Sequence, residues 1–459
     1  MLIRIIKAGL DMEAKIASNV GVQQALKYLF ITIVGYFIFL IPGYFFPEYL
    51  GYITTLNITI LIVVTTQFYL SIIFGMFERK KLEAPEVWPM VSILIPAYNE
   101  EQVLARTMSS MMEIDYPEDR IEFVYVYEQK STDDTESVIL EYAKKDSRFK
   151  PIKRNETHGG KAAAANYGIR RSNGEIIGSF DADHSLAPDS VRKAVLRLQD
   201  DNIVCIKGRC RTINKGEGFL SLLGGVERDI AESLIIPQHD IIGGFSFFGG
   251  GHAFFKKSIF EEIGYFDEKI MCEDIDYSLK IHKAGYNIRV DPSIISWEES
   301  PASFSQWWHQ RKRWSRGWIQ CARVHIGSIM GHPKFSFIKK IDTIYYLLIT
   351  LLLPVTIFLY PTSILSYLGI AQSTFYPTWV ANLLGVYVSL GSVLAVLFVL
   401  IKDYRAGEKI RWKEIPAILL LIFYMPAVLF VSWVGWVDEF ILSSENEYVK
   451  TLRSGAKSV

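Results

Sequence analysis

The chain has 459 residues, half of them hydrophobic and only 21% charged, with a mean hydropathy of +0.19. This is too apolar for disorder and more apolar than an ordinary soluble protein, while 49 basic and 49 acidic residues cancel, so no global field draws the chain to nucleic acid. Cys205, Cys210, Cys272 and Cys321 form no CxxC pair, which argues against a disulfide framework or a metal–cysteine site and for reduced thiols in a cytoplasmic compartment.

In chain order, a mixed segment 1–27 comes first and is expected in the cytoplasm. Residues 28–46 and 54–77 carry no charge, and each is long enough to cross roughly 30 Å of hydrocarbon as a helix. The first lacks a small-residue cleavage site and a second span follows at once, unlike a signal peptide. Residues 28–77 therefore read as two transmembrane helices. Residues 78–318 form a mixed, polar domain, and 319–342 an interfacial helical stretch. Apolar runs near 343–368, 380–401 and 415–437 read as about three further spans, and a tail follows from 438. Basic residues flank the central domain at Arg79, Lys80, Lys81, Lys339 and Lys340, and crowd the 402–414 loop. The positive-inside rule then places the amino terminus, the central domain and that loop in the cytoplasm of a multi-pass cell-membrane protein. Five full spans would leave the tail after Asp438 outside, unless Pro416 and Pro426 make the last segment re-entrant.

Within the central domain, Val91–Ile95, Ile121–Tyr127, Glu175–Phe180 and Ile203–Gly208 are short runs rich in β-branched residues, bounded by turn residues. Helical stretches 100–113, 132–146 and 160–171 lie between them. This alternation predicts an α/β domain with a largely parallel sheet and helices on both faces. Ligands of such sheets bind beyond the carboxyl ends of the strands.

The polar motifs sit at those ends. Pro96-Ala97-Tyr98-Asn99-Glu100-Glu101 follows the first strand and Asp181-Ala182-Asp183 the third. Two carboxylates at i and i+2 can place oxygens around one Mg²⁺ or Mn²⁺, with substrate phosphates completing the shell; an Asx-turn is the plain structural alternative. Upstream, His158-Gly159-Gly160-Lys161 offers a helix amino terminus and a point charge to an anion. Glu273-Asp274 follows Gly249-Gly250-Gly251-His252 and opens a helical pattern. On spacing alone its acids are dipole partners, although a carboxylate there can also be held ionised as a general base. Finally, residues 306–318 hold four tryptophans and four cations, suited to a headgroup-boundary helix or to a sugar and diphosphate site.

Taken together, PAYNE, STDDT, GGKAAAANYG, DAD, GGGHAFF, ED and Gln310-Arg311-Lys312-Arg313-Trp314 appear in order. The chain thereby resembles the membrane-embedded family-2 glycosyltransferases, a group that includes cellulose, hyaluronan, chitin and poly-N-acetylglucosamine synthases. The resemblance implies a GT-A fold, a Rossmann-like nucleotide-binding sheet, beside an α-helical transmembrane region. It implies that Pro96, Tyr98 and Glu100 line the nucleotide pocket and that Lys161 lies near the base and diphosphate. Asp181 would approach the ribose and metal, and Asp183 would coordinate Mg²⁺ or Mn²⁺. Asp274 would be the general base for the acceptor hydroxyl, with Glu273 on the acceptor side. Gln310 and Arg313 would hold the diphosphate, and Trp314 would stack on the acceptor sugar. The family's Asp-Asp after the second strand is replaced here by Glu128-Gln129; Gln129 can accept or donate to the base, so a uridine-diphosphate sugar is the expected donor with other bases open.

The activity so implied is inverting, metal-dependent hexosyl or N-acetylhexosaminyl transfer to a growing polysaccharide, with coupled export. One alternative is a single transfer to a lipid-linked acceptor, and a more distant one a non-catalytic membrane receptor or transporter. The partners would be the nucleotide sugar, a glycan or lipid-linked acceptor and membrane lipids, with no nucleic acid.

Overall fold

The computed structural model describes residues 26–75, 87–156, 158, 160–359, 375–405 and 414–446, with single positions outside these runs. The expectations for residues 1–25, Arg79–Lys81, Gly159, Lys409, Arg411, Lys413 and most of the tail from 447 lie outside the described residues.

Two apolar helices open the described chain, α1 (Leu26–Phe45) and α2 (Pro47–Gly75). The central domain runs β1 (Val91–Ala97), α3 (Glu101–Met112), β2 (Ile121–Glu128), α4 (Thr135–Lys145), β3 (Phe149–Arg154), α5 (Gly160–Ile169), β4 (Ile176–Ser179) and β5 (Ser185–Leu186). It continues through α6 (Ser190–Arg197), β6 (Ile203–Thr212), α7 (Phe219–Ile230), α8 (Ile236–Ile241), β7 (Ala253–Lys256), α9 (Ser258–Ile263), α10 (Glu273–Ala284), β8 (Asn287–Glu298) and α11 (Phe304–Ile329). Then come α12 (Phe337–Leu352), prolonged by a 3₁₀ segment Leu353–Leu359, α13 (Thr378–Arg405) and α14 (Glu414–Phe440).

The sheet has eight strands in the order β3-β2-β1-β4-β7-β6-β8-β5. The first four are parallel, but β7 is antiparallel to both β4 and β6. The expected largely parallel sheet thus holds for one half, and the whole is mixed. A parallel neighbour requires a crossover to the opposite end; here the α7–α8 excursion leaves the end of β6 and returns at that same end. Sequence reading also passed over β3, whose Lys150, Pro151 and Lys153 suit an edge strand.

Residues alternate cleanly across the sheet. Val91, Ile93 and Ile95 of β1 join Phe123 and Tyr125 of β2 under α3 and α6. Leu94, Val124 and Val126 face the opposite way, toward the alanines of α5 and toward Phe260 and Tyr277. Both faces are covered, which is why these strands read as continuous apolar runs.

Among the described residues, α1, α2 and Phe337–Leu359 are long and apolar enough to cross a membrane. Phe30, Phe37, Ile38 and Phe45 of α1 are exposed. The α13 helix lies beside α2: Tyr69 Oη donates to the Tyr387 carbonyl at 2.8 Å and Lys402 Nζ to the Gly75 carbonyl at 3.3 Å. The two therefore run in the same direction and end at the central domain. There Asp403 is buried between Arg209 and Arg211, at 2.5 and 3.3 Å. Charges removed from water must be paired in this way.

The last apolar run, α14, is held by ion pairs at both ends. Glu414, at the start of α14, pairs with Lys215 at 2.7 Å, and Glu439, near its end, pairs with Arg316 at 2.7 Å. A helix of 27 residues is about 40 Å long, so both ends, far apart, rest on the central domain and α11. Between them Trp307 Nε1 donates to Tyr424 Oη at 3.0 Å and Ser315 Oγ to the Ser432 carbonyl at 3.1 Å. Along its length α14 lies against α11, and residues 444–446 return to α11. The expected boundary at 318/319 also falls inside α11, which continues unbroken to Ile329.

Candidate active site

The motif closing β1 is braced by the motif closing β2. Asn99 adopts a left-handed backbone (φ 54°), a conformation its short polar side chain tolerates. Its Oδ1 accepts from the Thr132 N–H at 2.7 Å. The Glu100 N–H donates to Thr135 Oγ1 at 2.7 Å and the Glu101 N–H to Asp133 Oδ2 at 3.1 Å. The run 131–135 is therefore a scaffold that holds Pro96, Tyr98 and Glu100 at the rim of a cavity of about 530 Å³, a size suited to a small-molecule ligand. Glu128 and Lys130 line the cavity too, whereas Gln129 is exposed, outside the lining, with its N–H on the Arg154 carbonyl at 2.9 Å. The buried Arg154 donates to Glu128 Oε1 at 2.7 Å. Glu128 Oε2 is buried with no hydrogen-bond partner among the described residues.

Lys161, in the first turn of α5, reaches Asp181 Oδ1 at 2.5 Å and Glu273 Oε1 at 3.5 Å, tying the first half of the cavity to the second. Burial raises the Asp181 carboxyl, but Lys161 and His184 outweigh it and hold the group below the usual carboxylate range. Asp183 is buried and its Oδ2 accepts from the Glu299 N–H at 3.2 Å. Ligand atoms of Asp181, Asp183 and His184 lie within 4.8 Å of one another. Two hard carboxylate oxygens and an imidazole in one cluster fit a divalent cation such as Mg²⁺ or Mn²⁺. The reading of the sequence missed His184, which directly follows the Asp-x-Asp; its Nε2 also meets Glu298 Oε2 at 2.7 Å.

Asp274 lies across the cavity in the first turn of α10. Its Oδ2 accepts from the Gly250 N–H. Gly250 has φ +67°, where a side chain would be strained, and a Cβ on Gly251 would stand 2.8 Å from the Asp181 N atom, so glycine at both positions lets this loop pass close to Asp181. Burial, reinforced by Glu273, pushes the Asp274 carboxyl up to about 6, against the opposing pull of Lys161 and the Gly250 N–H. It is ionised at neutral pH yet basic enough to take a proton. The helix is pinned from behind by Asp276, which receives His325 Nε2 of α11 at 2.7 Å.

Gln310, Arg313 and Trp314 on α11 close the cavity, joined by Trp318, Phe247 and Met271. Gln310 Oε1 is buried without a partner among the described residues. The α11 backbone comes close because a Cβ on Gly317 would meet Cys272 Sγ and stand 2.8 Å from its N atom. The four tryptophans divide: Trp307 and Trp308 pack on Tyr424 and Phe430 of α14, while Trp314 and Trp318 face the cavity. All four cysteines are buried and free, and burial raises their thiols.

A mixed α/β sheet with acidic clusters and cations around one cavity defines a GT-A glycosyltransferase domain. The family model "Glycosyl transferase family 2" matches residues 92–264, and the chain carries a domain of that family. It is 33% identical over 253 residues to a probable glycosyltransferase of Bacillus subtilis, covering 52% of this chain and 59% of that protein. It is 26% identical to a beta-monoglucosyldiacylglycerol synthase of Nostoc, over 77% of this chain and 73% of that one. It is 30% identical to a poly-beta-1,6-N-acetyl-D-glucosamine synthase of Staphylococcus epidermidis, over 50% of this chain and 54% of that one. The chain thus spans between about half and three quarters of the length of these relatives. In fold it resembles a mannosyltransferase of Pyrobaculum calidifontis, solved with GDP-mannose and Mn²⁺, at a TM-score of 0.55, 20% identity and coverage of 84% of this chain and 99% of the other.

Proposed function

We propose that this glycosyltransferase moves a sugar, with inversion, from a uridine-diphosphate sugar to a hydroxyl of a growing, membrane-associated glycan. The observation that carries the reading is the convergence of Asp274, Lys161, Asp181, Asp183, Gln310 and Arg313 on one cavity. Asp274 takes the proton of the acceptor hydroxyl. The oxygen attacks the anomeric carbon from the face opposite the diphosphate, the bond to the diphosphate breaks, and the configuration inverts. Lys161 and Arg313 stabilise the charge on the departing diphosphate, an effect that is often the largest single contribution. Asp181 and Asp183, with His184 beside them, would hold Mg²⁺ or Mn²⁺, which when bound neutralises the phosphates. Trp314 offers its indole face to the acceptor sugar, with Glu273 nearby.

Uridine is supported by Glu128 rather than Gln129. Arg154 occupies one Glu128 oxygen and leaves the other unpartnered among the described residues. One acceptor suits the single N–H of uracil; the guanine edge offers two donors and would call for both oxygens.

The helices support a cell-membrane setting, with the catalytic domain on the cytoplasmic side. In this reading α1, α2, α12 and α13 cross, and Lys339, Lys340, Lys402 and Arg405 lie at the cytoplasmic ends. A second acceptor class, a membrane lipid glycosylated once, is favoured by the monoglucosyldiacylglycerol synthase, which aligns over the larger share of this chain.

The test is nucleoside diphosphate release by the purified protein in detergent with Mg²⁺ or Mn²⁺, across uridine and guanosine diphosphate sugars and with glycan and diacylglycerol acceptors. Release with a uridine donor, lost in Asp274→Asn, supports the reading. Long products support elongation, and a single-sugar lipid product the second class. No release with any donor and acceptor in the presence of metal would overturn it.

A further inference from the structure

The chain leaving α14 contacts the loop that leads into α10, the helix carrying the proposed base, and its contacts are specific. Ser443 takes a left-handed backbone, φ 49°, uncommon for a residue with a side chain, where the chain turns back after α14. Buried Arg316 of α11 then donates to the carbonyls of Ser444 and Glu445 at 2.7 and 3.0 Å and to Asn446 Oδ1 at 3.2 Å, while its Nε holds Glu439 at 2.7 Å. Gln320, one turn further along α11, donates to Glu439 Oε1 and Asn446 Oδ1 at 3.0 and 2.9 Å. Both partners then reach the loop before α10. Gln320 Oε1 accepts from the Met271 N–H at 3.1 Å, and Asn446 Nδ2 donates to the Lys269 carbonyl at 3.2 Å. Met271 itself lines the cavity, three residues before Asp274.

We propose that residues 443–446 are a positioning element for catalysis: through Asn446 and Gln320 they hold the 269–272 loop, and so set Asp274 against the acceptor. This rests on Asp274 being the base. The donor pocket is braced separately, by the contacts between the ends of β1 and β2, so loosening the clamp acts on turnover and leaves donor affinity alone. A carboxylate displaced by even about 1 Å from the attacking hydroxyl loses much of its effect.

Asn446→Asp separates this role from simple docking. It keeps the oxygen that Arg316 and Gln320 hold and loses the donor to Lys269. The expected result is that Asn446→Asp and Asn446→Ala both lower kcat roughly 5- to 20-fold, with donor Kd within about twofold of the unaltered protein. Asn446→Asp turning over like the unaltered protein would overturn the proposal. A second arm needs no turnover: hydrogen exchange at the Met271 amide should quicken in Gln320→Ala and in both Asn446 variants. Unchanged exchange there would also overturn it. If the unaltered protein releases no nucleoside diphosphate, the functional reading fails, and the exchange arm still decides whether the clamp holds the loop.

Discussion

The two halves of the cavity are built on different plans. The half proposed to take the donor is local: β1, β2 and the start of α5 come from neighbouring stretches, and the motifs closing β1 and β2 brace each other through hydrogen bonds from backbone N–H groups to side chains. The other half, where the acceptor is proposed to sit, is assembled from the 249–251 loop, the start of α10 and the middle of α11, which also brings Arg313 to the proposed diphosphate site, with α14 laid along the outside. Lys161 and its contacts to Asp181 and Glu273 join the halves. A locally braced pocket can bind before the rest is in order. An assembled one depends on every element behind it, which ties turnover to the packing of α11 and α14.

The strongest way to break this division is Asp274→Asn. A positioned base contributes about 10²–10⁴-fold, so turnover should fall by that factor while donor binding stays intact; lost binding would mean that the halves are not separable. Arg313→Ala should come next, at roughly 10²–10³-fold in kcat for a lost stabilising donor, read by the same diphosphate-release assay. Glu128→Gln sharpens the donor side. It weakens a hydrogen bond to a charged group, a contribution of about 1.5–3 kcal/mol, so donor KM should rise roughly tenfold or more with kcat little changed.

Acidity gives a milder effect. As the proposed base, Asp274 would act in its ionised form, and its carboxyl is pushed up to about 6. Activity should therefore be flat above that pH and fall about tenfold per unit below it. An acid limb near 4 instead would mean that burial does not raise the acting carboxyl, and a limb unchanged in the residual activity of Asp274→Asn would remove this carboxyl from the role. The smallest effect is expected from Thr135→Val, which removes one brace to Glu100 at about 1 kcal/mol and should raise donor KM about fivefold.

Much of the donor half was legible in the sequence, because its elements obey local rules. The apolar runs Val91–Ile95 and Ile121–Tyr127 lie inside β1 and β2, since strands covered on both faces need apolar side chains throughout. Asp181, Asp183, Lys161 and Asp274 were visible as motifs and meet in one cavity. Glu128 was passed over for its neighbour Gln129, because β2 ends at Glu128 and the turn begins at Gln129, and only the fold says which of the two lines the cavity. His184 went unnoticed because an Asp-x-Asp draws attention to its acids, and its imidazole matters only once β5 and β8 bring Glu298 beside it.

The sequence by itself determined the apolar helices, the strand–helix alternation and the chemistry available at the strand ends. These follow from hydropathy, periodicity and residue type over short windows. Only the tertiary structure decided that β7 runs antiparallel, that α14 lies on α11, and that Asn446 reaches the loop before Asp274. An apolar helix has the same composition whether lipid or protein covers it, and contact between residues far apart in the chain depends on where the folded chain brings each of them.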